Sequence, residues 1–285
     1  MPGHPRANLS VIDGRGGRER RVEIQGKVVV VTGGAAGIGR ALCERFHREG
    51  ARAVVVVDRD GVGAVATADG IGGVAIAADV CLQADVDRVV EQVESRVGPI
   101  DLFCSNAGRM FADPDQDDAA SAPVADWTRG WELHVMAHVY AAKALIPRYR
   151  ARGGGYLLNT VSAAGLLSQI GSGVYSTTKH AAIGFAEHVA IAHRADGIRV
   201  SVLCPQAVDT ALIRTPGLDA GMAAATRDGV LSPQEVAEEV VRGLAEERFL
   251  ILPHPQVLTY LQRKAADYDR WIAGMSRLRS SPSPR

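Results

Sequence analysis

Tyr175 and Lys179 sit four residues apart in the stretch YSTTKHAAIGF, where most of the neighbours are small. On a helix this spacing stacks a phenol and an ammonium on one face. A free tyrosine titrates near ~10, and a nearby cation favours its phenolate. The pair therefore reads either as an acid and the group that tunes it, or as an ordinary surface Tyr–Lys pair. The choice depends on the elements that would position it.

Strand-length apolar runs alternate with longer helix-period segments. VVVVT (28–32) precedes a helix near 38–49, and AVVVVD (53–58) and VAIAAD (74–79) precede a helix near 83–97. DLFCSN (101–106), YLLNTVS (156–162), RVSVLCP (199–205) and FLILP (249–253) continue the series. Short, continuously apolar strands separated by helices are what a parallel sheet covered on both faces requires. With right-handed crossovers, the expectation is an α/β, single-domain Rossmann fold with a doubly wound parallel sheet of about seven strands.

Between the first strand and its helix runs TGGAAGIGRAL, with glycines at 33, 37 and 39. The chain must turn sharply there, and a missing Cβ lets backbone approach a pyrophosphate beside the helix N-terminus. Asp58 ends the second strand nineteen residues beyond Gly39. Its carboxylate can accept from both adenosine ribose hydroxyls and would repel a 2′-phosphate, although a turn or cap aspartate is the plainer reading. Arg59 could pair with a 2′-phosphate. On balance NAD is expected rather than NADP.

The 285 residues carry 32 basic and 32 acidic side chains, a balance that argues for neither nucleic acid nor a membrane surface. No apolar run reaches the roughly 18 residues needed to span a bilayer. Four scattered cysteines, with no C-x-x-C, suit reduced thiols in a cytoplasmic protein. Residues 1–25, rich in Gly, Pro and Arg and lacking an apolar segment, read as a disordered leader or, less simply, a basic docking arm. The domain then spans 26–256. LSPQEVAEE opens a helix with a capping box at Ser232 and Glu235. Apolar spacing over 257–278 predicts one amphipathic helix, followed by a polar tail to 285, packing on its own domain or on a sister subunit.

From about Gly26 to Thr210 the chain resembles the classical short-chain dehydrogenase/reductase family. The family's TGxxxGxG is matched at Thr32–Gly39, its adenine-contacting D-V at Asp79-Val80, its N-A-G at Asn106-Ala107-Gly108, and its YxxxK at Tyr175–Lys179. Its catalytic serine is matched by Ser162, thirteen residues before Tyr175. The resemblance implies hydride transfer between a nicotinamide cofactor and an alcohol carbon or carbonyl. Tyr175 would be the acid/base, with Lys179 lowering its pKa and bonding the ribose, and Ser162 would orient the substrate oxygen and stabilise charge developing on it. Gly33, Ala36, Gly37, Ile38, Gly39, Asp58, Arg59, Asp79, Val80, Asn106, Ala107, Gly108, Tyr175, Lys179, Pro205, Val208 and Thr210 are the expected cofactor contacts. A homotetramer, or a dimer, is implied.

Two positions depart from the family pattern. His134, seven residues after Trp127, stands where the family has an asparagine that holds a water linking the lysine to solvent. Histidine donates, accepts and titrates near neutrality, so His134 either replaces that asparagine in a pH-sensitive relay or packs as a structural residue. His138, His180 and His188 read as packing or surface residues. Gln206 replaces the usual glycine after Pro205 and could reshape the substrate side or be tolerated there. Met110, Leu166, Leu167, Ile170, Gln206 and Leu212 are expected around a small-molecule substrate, a hydrophobic secondary alcohol or ketone, with Arg109 available for an acidic one. Two other readings are a non-catalytic NAD-binding regulator of the same fold and a sugar-nucleotide epimerase. The intact serine, tyrosine and lysine weigh against the first, and the glycine spacing against the second.

Overall fold

The computed structural model describes residues 23–280; the expected leader up to residue 22 and the tail 281–285 lie outside the described residues. Seven parallel strands form one sheet: β1 (Val28–Thr32), β2 (Ala53–Asp58), β3 (Val74–Ala77), β4 (Leu102–Ser105), β5 (Gly155–Thr160), β6 (Ile198–Leu203) and β7 (Leu250–Ile251). Their order is β3-β2-β1-β4-β5-β6-β7, the doubly wound Rossmann arrangement. β7 keeps only the two residues that pair with Val202 and Leu203, less than the FLILP run suggested.

Each strand alternates its side chains between two cores, as a period of two requires. Val28 and Val30 pack on one face with Val57, Phe103 and Leu157, whereas Val29 and Val31 pack on the other with Val56, Leu102 and Leu158. The first face is covered by α3 (Gln83–Arg96), α5 (Ala137–Arg152) and α6 (Gly173–His193). The second is covered by α1 (Gly37–Arg48), α2 (Gly61–Ile71) and α8 (Pro233–Ala245). Ile24 is buried in this second core, so the domain starts slightly earlier than the Gly26 boundary expected.

β1 leads out to β2 and β3, while β4 starts the run in the opposite direction. The chain therefore reverses between β1 and β4, and a crevice opens at their carboxyl ends. α4 (Val124–Trp131) packs on α6 and runs into a π-helical turn at Glu132–Met136 that leads into α5, and α7 (Asp219–Ala225) follows β6. The expected single C-terminal helix is two: α9 (Gln256–Ala266) and α10 (Tyr268–Ser280). Asp267 breaks it, with extended backbone at φ −156° and ψ 94°, and its Oδ1 caps the new helix by accepting from Arg270 N–H at 2.9 Å. Among the described residues no helix is long and apolar enough to cross a membrane.

The capping box forms as its sequence requires: Ser232 Oγ accepts from Glu235 N–H at 3.2 Å, and Glu235 Oε2 accepts from Ser232 N–H at 2.7 Å. α8 lies apart from the crevice, so Ser232→Ala should lower unfolding free energy by about 1 kcal/mol in urea titrations and leave cofactor affinity unchanged.

Candidate active site

The loop after β1 is a place where side chains do not fit. A Cβ on Gly39 would sit 2.0 Å from the Gly33 carbonyl oxygen, and one on Gly33 would sit 2.8 Å from Ala107 Cα. Gly33 also has φ +67°, which favours glycine. Asp58 braces the same loop from the end of β2, its Oδ2 accepting from Ala35 N–H at 3.1 Å and its Oδ1 from Asp60 N–H at 3.0 Å.

A buried hydrogen-bond chain ties the strand ends together. Thr32 Oγ1 accepts from Asn106 N–H at 2.9 Å, and Asn106 Nδ2 donates to Thr32 O at 3.0 Å. Thr160 Oγ1 donates to Asn106 Oδ1 at 3.0 Å, and Lys179 Nζ donates to Thr160 O at 3.1 Å. Lys179 is only 3% exposed, and Thr160 O is the one acceptor its three N–H groups find among the described residues. Desolvation pushes its pKa down to about 8. The remaining donors belong to an ammonium that lines the crevice. Such an arrangement fits a polar group such as a cofactor ribose.

Tyr175 lies one helical turn before Lys179, with the ammonium 5.5 Å from its ring centre. It is 6% exposed, and burial raises its pKa to about 12, while the neighbouring Ser162 hydroxyl pulls it back. In the free protein burial thus favours the neutral phenol, and the group that opposes it is Ser162. Ser162 closes β5, its Oγ accepting from Ala164 N–H at 3.1 Å.

His134 lies in the π-helical turn and is fully buried, its ring edge-on to Tyr175 (5.4 Å between centroids) and to Phe111 (5.7 Å). Thr178 Oγ1 gives its proton to Val174 O at 2.8 Å, so His134 Nδ1–H donates to that oxygen, also at 2.8 Å. Nε2 is then the acceptor and faces Arg109 N–H at 3.4 Å. Burial first, and the Lys179 charge second, hold the His134 pKa well below the usual histidine range. The titration near neutrality expected of it is therefore corrected: His134 is a neutral hydrogen-bonding group. His138, one turn on, is buried with neither ring nitrogen partnered and its pKa pushed down to about 3. His180 and His188 are exposed.

A cleft of about 390 Å³ runs over the strand ends. Gly33, Ala36, Gly37, Ile38 and Gly39 line it from the loop, Asp58 and Arg59 from the end of β2, and Asp79 and Val80 from beyond β3. Asn106, Ala107 and Gly108 follow β4, Pro205, Val208 and Thr210 follow β6, and Tyr175 and Lys179 complete it from α6. Cys81 and Leu133 also line it and carried no motif that would have marked them. The loop, the carboxylate on β2 and the buried ammonium together suit a dinucleotide.

A second cavity of about 550 Å³ shares Ser162, Tyr175, Gln206 and Leu212 with the cleft. Met110, Leu167 and Ile170 line it as expected. Leu166 does not: it packs against the cluster of Ala163, Leu167 and Val257, the last from α9. Gln206 N–H donates to His254 Nδ1 at 3.2 Å, and its Oε1 is buried without a partner. The far wall was not anticipated: Trp271, Met275 and Leu278 of α10 line the cavity, although their spacing had suggested only packing.

Comparison with known proteins agrees with this geometry. The short chain dehydrogenase family model matches residues 27–218, and the chain belongs to that family of oxidoreductases. It is 33% identical over 258 residues to the 1-deoxy-11-beta-hydroxypentalenate dehydrogenase of Streptomyces exfoliatus, covering 88% of this chain and 92% of that protein. Among solved structures, a short chain dehydrogenase/reductase from Burkholderia phymatum in complex with NAD superposes with a TM-score of 0.78 at 26% identity, covering 87% of this chain and 96% of that one. The L-sorbose reductase of Gluconobacter frateurii complexed with NADPH and L-sorbose gives 0.68 at 31% identity, covering 80% and 94%.

Two measurements check the site. Gly39→Ala forces backbone to move and should weaken NADH binding on the order of 100-fold, read by fluorescence titration. Lys179 has a folded pKa of about 8 and an unfolded value near 10.5, so between those values the unfolded chain holds more protons. The cost of burying its charge is complete below pH 8 and fades as pH rises to 10.5. Lys179→Met should therefore be the more stable protein at pH 7, by an amount on the order of 3 kcal/mol, and that advantage should shrink with rising pH. A pH-independent difference would contradict the buried charge.

Proposed function

We propose that the protein is an NAD-dependent dehydrogenase or ketone reductase acting on an apolar secondary alcohol or its ketone, with Tyr175 as acid/base. The observation that carries this reading is the meeting of cleft and cavity at Ser162 and Tyr175, where a substrate oxygen can face both side chains. The nicotinamide cofactor, when bound, supplies or accepts the hydride. Tyr175, a neutral phenol in its buried setting, gives its proton to the carbonyl oxygen during reduction and takes it back during oxidation. Ser162 Oγ hydrogen-bonds the same oxygen and stabilises charge developing there. Lys179, held by Thr160 O, keeps a positive charge beside the phenol. His134 is a positioning residue: it packs edge-on against the Tyr175 ring and, through Thr178, braces the turn of α6 between Tyr175 and Lys179.

Asp58 supports NAD over NADP, because a 2′-phosphate would bring negative charge against a carboxylate already fixed by Ala35 and Asp60. The mainly apolar cavity wall supports a hydrophobic substrate, as does similarity to a dehydrogenase named for a hydroxypentalenate. Assembly as a homotetramer or dimer belongs to the same reading.

Turnover of NADH with a panel of cyclic ketones is the test. Tyr175→Phe should lose 10²- to 10⁴-fold in kcat while binding NADH normally; retention of activity would overturn the role of Tyr175. His134→Asn should keep the pH–rate profile of the parent from pH 5.5 to 8, because the group it replaces does not ionise there. Asp58→Ser should narrow the preference for NADH over NADPH by about tenfold, and an unchanged ratio would remove Asp58 from cofactor choice.

A further inference from the structure

The substrate cavity has two chemically different ends. Ser162, Tyr175 and Gln206 form the end that opens on the cofactor cleft. At the other end Arg227, from the loop after α7, joins Arg263 of α9 and Arg270 and Arg277 of α10, and none of the four lines the cofactor cleft. Apolar side chains line the rest of the cavity, with Met110 and Met222 packed in the cluster around Tyr175 and with Trp271 and Met275 contributed by α10.

The four arginines outnumber the two described carboxylates that line the same cavity, Asp228 and Asp267, which keep their charges while accepting other hydrogen bonds. Asp228 Oδ1 accepts the Tyr260 hydroxyl at 2.9 Å, and Asp267 Oδ1 caps α10 through Arg270 N–H at 2.9 Å. Among the described residues Arg227, Arg263 and Arg270 have no carboxylate within salt-bridge distance. Arginines elsewhere, such as Arg148 on Glu91 and Arg152 on Glu94, hold one at 2.8 Å. Arg270 and Arg277 are two turns apart on α10, so they share the side that also presents Trp271, Gly274 and Met275 to the cavity. A guanidinium fork matches a carboxylate in its plane and donates twice to it.

We propose that the substrate is an anionic amphiphile. Its apolar body carries the reacting hydroxyl or carbonyl at the Ser162–Tyr175 end, and its carboxylate is held by Arg263 and Arg270, with Arg227 beside them. This rests on the oxidoreductase reading above and specifies its substrate class. A volume of about 550 Å³ takes a bicyclic or tricyclic acid of this kind.

The test uses a keto-decalin carboxylate and its methyl ester, two probes that share the apolar body and the reacting carbonyl. Binding is measured by calorimetry with NAD⁺ present, which cannot reduce the ketone, and NADH oxidation is followed separately. The parent protein should bind the acid at least about tenfold more tightly than the ester at low salt. The exposed double variant Arg263→Gln/Arg270→Gln should bring that ratio close to one. Equal binding of acid and ester, a preference that survives the double variant, or binding of neither probe overturns the proposal. Arginine-dependent binding of the acid without NADH oxidation would count against the oxidoreductase reading alone. Oxidation of NADH by both probes with no preference for the acid would count against the anionic substrate alone.

Discussion

The Lys179 ammonium is buried where α6 meets the carboxyl ends of β5, β4 and β1, and the geometry of the site follows from how its charge is tolerated. A charge removed from water is costly unless it is hydrogen-bonded. Here the bond is to the carbonyl of Thr160 at the end of β5, whose hydroxyl reaches Asn106 after β4, which in turn holds Thr32 at the end of β1. The acceptor for the lysine is therefore fixed by the same chain that closes the strand ends across the switch point. Tyr175 comes with it, one turn back on α6 and close enough for its ring to face the ammonium.

Burial also sets the protonation states. The phenol is driven up and the ammonium down, so the free protein holds a neutral Tyr175 beside a weakened Lys179. His134 is subject to the same desolvation and to the same cation, and both keep it neutral. In place of a titrating relay, the π-helical turn presents a ring whose Nδ1–H is committed to Thr178 and whose Nε2 faces the Arg109 amide. His134 therefore offers this position a donor and an acceptor rather than a charge.

Much of this was legible in the sequence. The strands declare themselves because each is a short apolar run between helix-period segments and, the edge strand β3 aside, is buried on both faces. The residues of the cleft declare themselves because the glycine loop, Asp58, Asp79-Val80 and Asn106-Ala107-Gly108 sit at strand ends, where local chain geometry sets their position. What depends on distant packing was not legible. The break at Asp267 turns one expected helix into two and brings Trp271 and Met275 onto the second cavity. Leu166 leaves the cavity because α9 supplies it with apolar partners. The charge states of Tyr175 and His134 follow from burial that no local pattern encodes. Arg263, Arg270 and Arg277 look like a solvated helix face until their side of the helix is seen to meet the cavity.

The central claim is that desolvation keeps Tyr175 protonated in the free protein and that its proton becomes mobile only in the assembled site. Ultraviolet difference titration of the phenolate, comparing the parent with Tyr175→Phe, with and without NAD⁺, measures this directly. Without NAD⁺, no phenolate attributable to Tyr175 should form below about pH 10; with NAD⁺ bound, it should form at least one pH unit lower than without. A Tyr175 phenolate already present near neutral pH in the free protein, or identical titrations with and without NAD⁺, would contradict the account.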